Sequence, residues 1–372
     1  MTYPRIGAVL AAIVGSLALA ACSAASPNAA PIVQPTTQAT DVQTPEAKPT
    51  PTPPNPLDQP LSGIIFIQGA STGSASDGFA FYGLDPVSGE VTKQREFPAS
   101  TQASPALSLF TPIFTKMSFD QTFHRVAATS TDTTDGSTHV GWLTDAGQYV
   151  DISAAVTASG GAFSGKVQHS APAFGPDGAF YYADDATLSV MRVVTDTPTA
   201  PTDAVAVKKY EYSKPVSTWI YPSGTIQVGQ GGSIPNVENT QAGVSGLGRV
   251  EGWVSDLTMV TGDAQNSNLY LSDASKDPSD GGNFFGSGSG LNEKTLLPER
   301  AGRLTWNPIL SPDKTRIAFL SAPESGADPA QLFVVATAGG EPQLLPTTQT
   351  FQRLGSGGFF GPSSFVQLVD WR

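Results

Sequence analysis

Three histidines and one serine motif are the residues of this chain whose types and spacing suggest catalysis. Gly69–Gly73 (Gly-Ala-Ser-Thr-Gly) fits the G-x-S-x-G pattern of a nucleophilic serine, which requires a strand before it and a helix after it. The residues that follow are rich in Ser and Gly and predict a loop, so we assign no catalytic residue. His124 lies beside a turn and His139 begins a strand, so structural roles are predicted for both. His169 precedes an apolar strand and is kept as a binding candidate.

Two acidic, glycine-bearing loops are candidate calcium sites, because calcium takes several oxygen ligands from flexible loops. The carboxylates concerned are Asp132, Asp135, Asp273, Asp277 and Asp280. Neither loop has the 12-residue spacing of an EF-hand, and a solvated loop is the alternative for both. Three scattered histidines do not favour a transition-metal site.

Long loops rich in Gly, Ser and Asn span Gly229–Gly248 and Asp277–Gly290. The second loop carries Phe284 and Phe285. Binding residues are concentrated on loops held by a rigid scaffold, so this aromatic pair is a candidate partner anchor. The alternative is that the two rings fold back onto the protein.

Cys22 is the only cysteine of the 372 residues, and it ends a short apolar segment. Arg5 comes first, an apolar run follows, and small residues precede Cys22, which is the layout of an export signal. The apolar run is too short for a membrane-spanning helix. Leu19-Ala20-Ala21-Cys22 resembles the lipobox of bacterial lipoproteins. This resemblance implies a signal peptide over residues 1–21, diacylation of Cys22, and a lipid-anchored, extracytoplasmic protein.

The chain is acidic, with 20 basic and 32 acidic side chains and a formal net charge of −12. Such a chain gains nothing from counterion release on nucleic acid, and anionic lipid headgroups repel it. Nucleic-acid partners are therefore excluded, and membrane attachment is assigned to the acyl chains of Cys22. Few charges and many glycines and prolines favour an all-β fold rich in turns.

Residues 22–60 are predicted to form a disordered tether. Ten of the 31 prolines fall between residues 23 and 60, and no aromatic residue does. Such a segment buries too little apolar surface to offset the entropy lost on ordering. We expect it to hold the following domain, residues 61–372, away from the membrane.

Within residues 61–372, an apolar position, a tight turn and a strand recur. The clearest copies are Leu310–Leu320, with Ser-Pro-Asp-Lys in the turn, and Phe174–Tyr182, with Gly-Pro-Asp-Gly. Looser copies begin at Met117, Ile220 and Trp253. The turn residues Asp120, Asp177, Asp256 and Asp313 are predicted to cap the local backbone. A repeat of this size in an all-β chain predicts a propeller.

The repeat resembles the blades of the TolB-type propeller family, which carry a Ser-Pro-Asp-Gly turn followed by a Leu-Tyr-Val-Val strand. The resemblance implies a six-bladed β-propeller, with seven blades as the alternative. Apolar segments at the two ends, 64–67 and 365–369, are predicted to pair and so close the ring.

Three functions remain open from the sequence. The first is a binding or scaffold module for an envelope protein, peptide or glycan. The second is an enzyme, such as a glycan lyase or hydrolase, with its site in the central channel, which His169 could face. The third is a structural spacer of the envelope.

Overall fold

Short β-strands account for nearly all of the regular structure. In a computed structural model of the protein, the described residues are 59–69, 77–107, 112–153, 168–194, 204–210, 217–220, 223–224, 226–229, 249–254, 258–262, 269–273, 292–297, 302–323, 329–349, 351 and 366–372. They lie in the unit that spans Pro53–Arg372. The predicted lipidation site, Cys22, lies outside the described residues, as do 22–58 of the tether.

The strands of the first half of the chain belong to three sheets. The first sheet contains β1 (Ile64–Gly69), β2 (Phe79–Leu84) and β3 (Val91–Phe97). The second contains β4 (Ser104–Pro105), β5 (Arg125–Thr131), β6 (Thr138–Thr144) and β7 (Tyr149–Asp151), with helix α1 (Pro112–Met117) between its first two strands. The third contains β8 (His169–Phe174), β9 (Phe180–Asp184), β10 (Ser189–Val193) and β11 (Ala204–Lys209).

The strands of the second half follow the same order. One sheet contains β12 (Ser217–Ile220) and β13 (Ile226–Gly229). The next contains β14 (Arg249–Trp253), β15 (Thr258–Gly262), β16 (Leu269–Asp273) and β17 (Asn292–Leu297). The last contains β18 (Arg303–Leu310), β19 (Arg316–Pro323), β20 (Gln331–Ala336) and β21 (Gln343–Leu344). The final strand of the chain is β22 (Val366–Trp371).

Strand β22 joins the two ends of the described chain. It pairs antiparallel with β1, with Ile64 opposite Trp371, and gives the first sheet the order β22-β1-β2-β3. In the other sheets neighbouring strands follow chain order. The described residues thus form five four-stranded sheets and one two-stranded sheet, an all-β, propeller-like arrangement.

The end strands of the sheets lie side by side. Strand β8 contacts β12, β14 contacts β18, and β18 contacts β22. Strands β1 and β19 are buried along nearly their whole length, which explains why they read as nearly continuous apolar runs and not as alternating ones.

Aromatic clusters fill the spaces between sheets. Phe79, Phe81, Phe97, Phe119 and Phe123 form one cluster between the first two sheets. Trp142, Phe174, Phe180 and Tyr182 belong to a second cluster, between the second and third sheets. Burying each of these side chains contributes about 1.5–3 kcal/mol, so the inter-sheet clusters are the main source of stability.

The repeated turns are capped by their aspartates. Asp120 Oδ1 accepts hydrogen bonds from the amides of His124 (2.8 Å) and Arg125 (3.0 Å). Asp177 accepts one from Ala179 (3.1 Å), and Asp313 accepts one from Thr315 (3.1 Å). The predicted capping role is confirmed for these three, and Asp256 lies outside the described residues.

Helix α1 precedes one of the looser copies of the repeat. The apolar position of that copy, Met117, is the last residue of α1. Pairing with β5 begins two residues later, at Phe119. Among the described residues, no helix is both long and apolar enough to cross a membrane.

Candidate functional site

Two of the three histidines meet at the boundary between the second and third sheets. His139 is the second residue of β6, and His169 is the first residue of β8. An isolated parallel bridge between Thr138 and Gln168 holds these strand ends together. We call the group His139, Asp151, Ser153, His169 and Asp184 the His–Asp edge.

Ser153 connects the two sheets through hydrogen bonds. Its Oγ lies 2.7 Å from His169 Nδ1, and it accepts a hydrogen bond from the Val140 amide at 2.9 Å. Ser153 and His169 are buried, with 0 and 4% of their surfaces exposed. Since the hydroxyl is bonded on both sides and shielded from solvent, it is not placed to attack a substrate.

Asp184 stands on the other side of His169, opposite it in the β8–β9 register. Its Oδ1 lies 3.9 Å from His169 Nε2. The carboxylate also accepts hydrogen bonds from the Ala186 amide (2.9 Å) and the Thr187 hydroxyl (2.7 Å). Asp184 therefore ends β9 by capping the turn that follows. Its contact with the His169 imidazole, at 3.9 Å, is longer than these hydrogen bonds.

Burial lowers the pKa of His169 below its ordinary value. The nearby carboxylates of Asp184, Asp151 and Asp185 oppose this shift, and His139 adds to it. The ring of Tyr182 packs on the imidazole with 4.8 Å between centroids, which increases the burial. His169 is accordingly a neutral imidazole at pH 7, able to exchange one hydrogen bond with Ser153.

His139 and Asp151 form the solvent-accessible part of the edge. His139 Nδ1 lies 3.0 Å from Asp151 Oδ2, and the side chains are 20 and 30% exposed. The contact is a close approach and not an aligned hydrogen bond, because His139 Nδ1 has no partner of good hydrogen-bond geometry among the described residues. Both side chains reach solvent, where a ligand could meet them.

His124 is not part of this group. It lies in the turn before β5, where its Nδ1 is 2.5 Å from Asp145 Oδ2. Asp145 also lies 3.6 Å from Nε of the buried Arg95. The side chain of His124 is 46% exposed, which agrees with the structural role predicted for it.

The candidate calcium ligands that the structure describes are engaged in local turns. Asp132 accepts a hydrogen bond from the Thr134 amide, and Asp135 accepts bonds from the amide and hydroxyl of Ser137. Asp273 ends β16, and its side chain is outside the described part of the structure, as are Asp277, Asp280, Phe284 and Phe285 entirely. Within the described ranges, no three His, Cys, Asp or Glu side chains lie close enough together to hold one metal ion. Calcium binding stays a prediction.

A cavity of about 390 Å³ lies beside the start of β1. Its walls include Asp85, Glu90, Gln94 and Arg372 together with Gly63 and Gly83. The carboxylate of Asp85 is held by the amides of Val87 and Ser88, which lower its pKa. Nothing in the sequence pattern indicates this cavity.

The sequence also does not indicate Asp151, Ser153 and Asp184 as neighbours of the histidines. Asp184 could have been found, because pairing two adjacent strands around the Pro176 turn places it opposite His169. Ser153 and Asp151 belong to the preceding sheet, and contacts between sheets leave no periodic signal in a sequence.

Comparison with known proteins finds distant structural similarities, from which neither a fold nor a function is inferred. No protein-family profile and no curated protein matches the chain. Among solved structures, the chain is similar to a protein described as TolB from Agrobacterium tumefaciens (10% identity, 83% of this chain and 98% of that one, TM-score 0.31). It is also similar to an oligogalacturonate lyase from Vibrio parahaemolyticus (10% identity, 78 and 75% coverage, TM-score 0.34) and to a dihydro-heme d1 dehydrogenase (14%, 82 and 77%, 0.40). No activity or ligand of these proteins is transferred to the chain.

Proposed function

We propose that the protein is a lipid-anchored, extracytoplasmic propeller that acts as a binding module for an envelope protein, peptide or glycan. The anchor in this proposal is a diacylglyceryl group on Cys22, and the tether gives the domain reach. The acidic charge argues against nucleic acid as the ligand.

One observation carries the binding function. At the His–Asp edge, the buried Ser153–His169 pair is satisfied internally, while the His139–Asp151 pair is partly open to solvent. An imidazole and a carboxylate together donate and accept hydrogen bonds, which suits the hydroxyl groups of a glycan or the amides of a peptide. The pair rests on two rigid strands, so it is held in place for recognition and not for nucleophilic chemistry.

A six-bladed ring of the TolB type is part of the same proposal. Its support is the set of five four-stranded sheets and the two strands β12 and β13, together with the pairing of β22 with β1. A last strand that joins the first sheet removes two free sheet edges, which favours closure of the ring.

The proposal is tested by crosslinked affinity capture from the native envelope with the wild-type protein and three variants. Cys22→Ala removes the anchor, and His139→Gln with Asp151→Asn removes the open pair. His124→Gln is the control, since it breaks a His–Asp pair elsewhere, one whose histidine is more exposed, and leaves in place Asp145, which also contacts the buried Arg95. We expect a specific partner to be captured by the wild type and the control, and to be lost with the His139–Asp151 variant. Equal capture by the wild type, the control and the His139–Asp151 variant would show that the His–Asp edge is not the binding site.

An enzyme, such as a glycan lyase or hydrolase, is the second candidate, and the Ser153–His169 contact of 2.7 Å is the arrangement to be tested, although it is buried. Its test is turnover of cell-wall oligosaccharides or peptides by the purified protein. Ser153→Ala should abolish such turnover if the serine takes part in it. Turnover that is absent, or that survives this change, leaves Ser153 as a structural link between sheets.

A further inference from the structure

Between β4 and β5, the chain leaves the second sheet in an excursion that contains helix α1. Before the excursion, the Ala106 amide donates to the Ala127 carbonyl at 2.7 Å. After it, the Ala127 amide donates to the Ser118 carbonyl at 2.7 Å. The chain therefore leaves β5 and returns to it at the same residue, and the Ser118 hydroxyl closes the base by donating to the Ala106 carbonyl at 2.6 Å.

The excursion is directed toward strands of other sheets. Helix α1 contacts β14, β18 and β22, each of which is the end strand of its own sheet. Because β18 also contacts both β14 and β22, α1 lies where the end strands of three sheets come together. A helix of six residues in this position gains its order from packing, since isolated helices of this length are unstable.

An ion pair fastens the helix to β22. Lys116 Nζ lies 2.6 Å from Asp370 Oδ1, and Arg372 Nε lies 2.9 Å from Asp370 Oδ2. The Asp370 side chain is only 10% exposed, and the neighbouring Thr115 is fully buried. The Asp370 carboxylate thus lies between Lys116 of the helix and Arg372, which follows β22, and it links α1 to β22.

Contacts between turns show at which end of the sheets the Lys116–Asp370 ion pair lies. Arg372 Nη2 donates to the Gln121 carbonyl at 2.7 Å, and the Gln121 side chain donates to the Pro176 carbonyl. These three residues therefore share one end of the sheets, called here the turn end. The His–Asp edge lies at the other end, because His169 begins the strand after which Pro176 follows.

We propose that α1 is a plug that closes the turn end of the central channel, latched by the Lys116–Asp370 ion pair. The channel then admits solvent and ligands from the end that carries His139 and Asp151. Release of the latch opens the second end. This inference rests on the closed ring of the proposed function, but not on a binding role of the His–Asp edge.

The latch is tested by thiol labelling in the Cys22→Ala background, which has no other cysteine. Thr115→Cys places a single thiol on the buried side of the plug, where a small maleimide should react slowly. Adding Asp370→Asn removes the charge of the latch and should speed labelling by about two- to fivefold, as expected for an ion pair whose lysine is 53% exposed. The control is Glu96→Gln, which breaks the Lys93–Glu96 pair of β3, away from the turns that position the latch, and should leave the rate unchanged.

Hydrogen exchange provides a second measurement without the new cysteine. Asp370→Asn should increase exchange in residues 112–119 and leave β8–β10 protected. Equal labelling with and without Asp370→Asn, or immediate labelling of the Thr115→Cys variant that keeps Asp370, would overturn the plug. Increased exchange throughout all sheets would do so too, because it would show Asp370 to be a general stabiliser.

Discussion

The side-chain amide of Gln94 pairs with the main chain of Ser62 as a neighbouring strand would. The Ser62 amide donates to Gln94 Oε1 at 2.9 Å, and Gln94 Nε2 donates to the Ser62 carbonyl at 3.1 Å. Gly83 lies beneath this pair, and a Cβ atom there would overlap both the Gln94 amide and the Ser62 carbonyl oxygen. The glycine thus makes room for an interaction that extends β1 toward its start.

Gly83→Ala should destabilise the protein by about 1–3 kcal/mol, because the new methyl forces Gln94 and the Ser62 backbone apart. Urea unfolding measures the change. Gln94→Ala alone should cost about 1 kcal/mol, since its two hydrogen bonds are exposed to solvent. The double variant should cost less than the sum of the single changes, because both disturb the same contact. A strictly additive result would mean that Gly83 is not needed for Gln94.

Trp142 should contribute more to stability than any exposed side chain of its sheet. It is fully buried, packs edge-on against Phe180 with 5.3 Å between centroids, and lies beneath the Arg125 guanidinium at 5.2 Å. Trp142→Ala should cost about 3–5 kcal/mol in urea unfolding. Trp142→Phe should cost about 1–2 kcal/mol, because the indole N–H has no hydrogen-bond partner in the described structure. Equal costs for the two changes would show that ring packing is not the source of stability.

His169 should make the protein less stable in mild acid. Its pKa is about 6.5 in the unfolded chain and is lowered in the folded protein by burial. As the pH falls below 6.5, the unfolded chain takes up a proton that the folded protein does not, so the free energy of unfolding decreases. His169→Gln should flatten this dependence below about pH 6.5 while costing about 1 kcal/mol at neutral pH.

The control for His169 is His124→Gln, which changes a half-exposed imidazole of another turn. Urea unfolding at several pH values should show the acid dependence unchanged in this variant. If both variants lose it equally, the dependence does not arise at the His–Asp edge.

Much of the strand order could be predicted, because turn chemistry leaves local signals. The segment Leu310–Leu320 is predicted as a turn followed by a strand, and the structure has β18 end at Leu310 and β19 begin at Arg316. Pro, Asp and Gly fix such turns through their own backbone preferences, independently of the rest of the fold. The apolar segments at the two chain ends are expected to pair, and β1 and β22 lie side by side.

Helix α1 and the His–Asp edge could not be predicted for a different reason. Pro112–Met117 contains aromatic and β-branched residues that fit a strand as well as a helix, and only its contacts with β14, β18 and β22 distinguish the two. Likewise, the contact of Ser153 with His169 joins residues from two sheets. Such features depend on how sheets are placed around an axis, which no short stretch of sequence specifies.

Asp313 provides a test of the repeated turn itself. Hydrogen bonds from the Ser311 hydroxyl (2.5 Å), then from the amide (3.1 Å) and hydroxyl (2.8 Å) of Thr315, lower the pKa of Asp313 to about 2. Because the folded pKa lies below that of the unfolded chain, the stabilisation is fully present above about pH 4 and is lost as the pH falls through about 2. NMR titration of the Asp313 carboxyl should show this low value. Ser311→Ala should raise the pKa toward 3.8, since it removes the strongest of these bonds, and an unchanged pKa would show that Thr315 alone holds the turn.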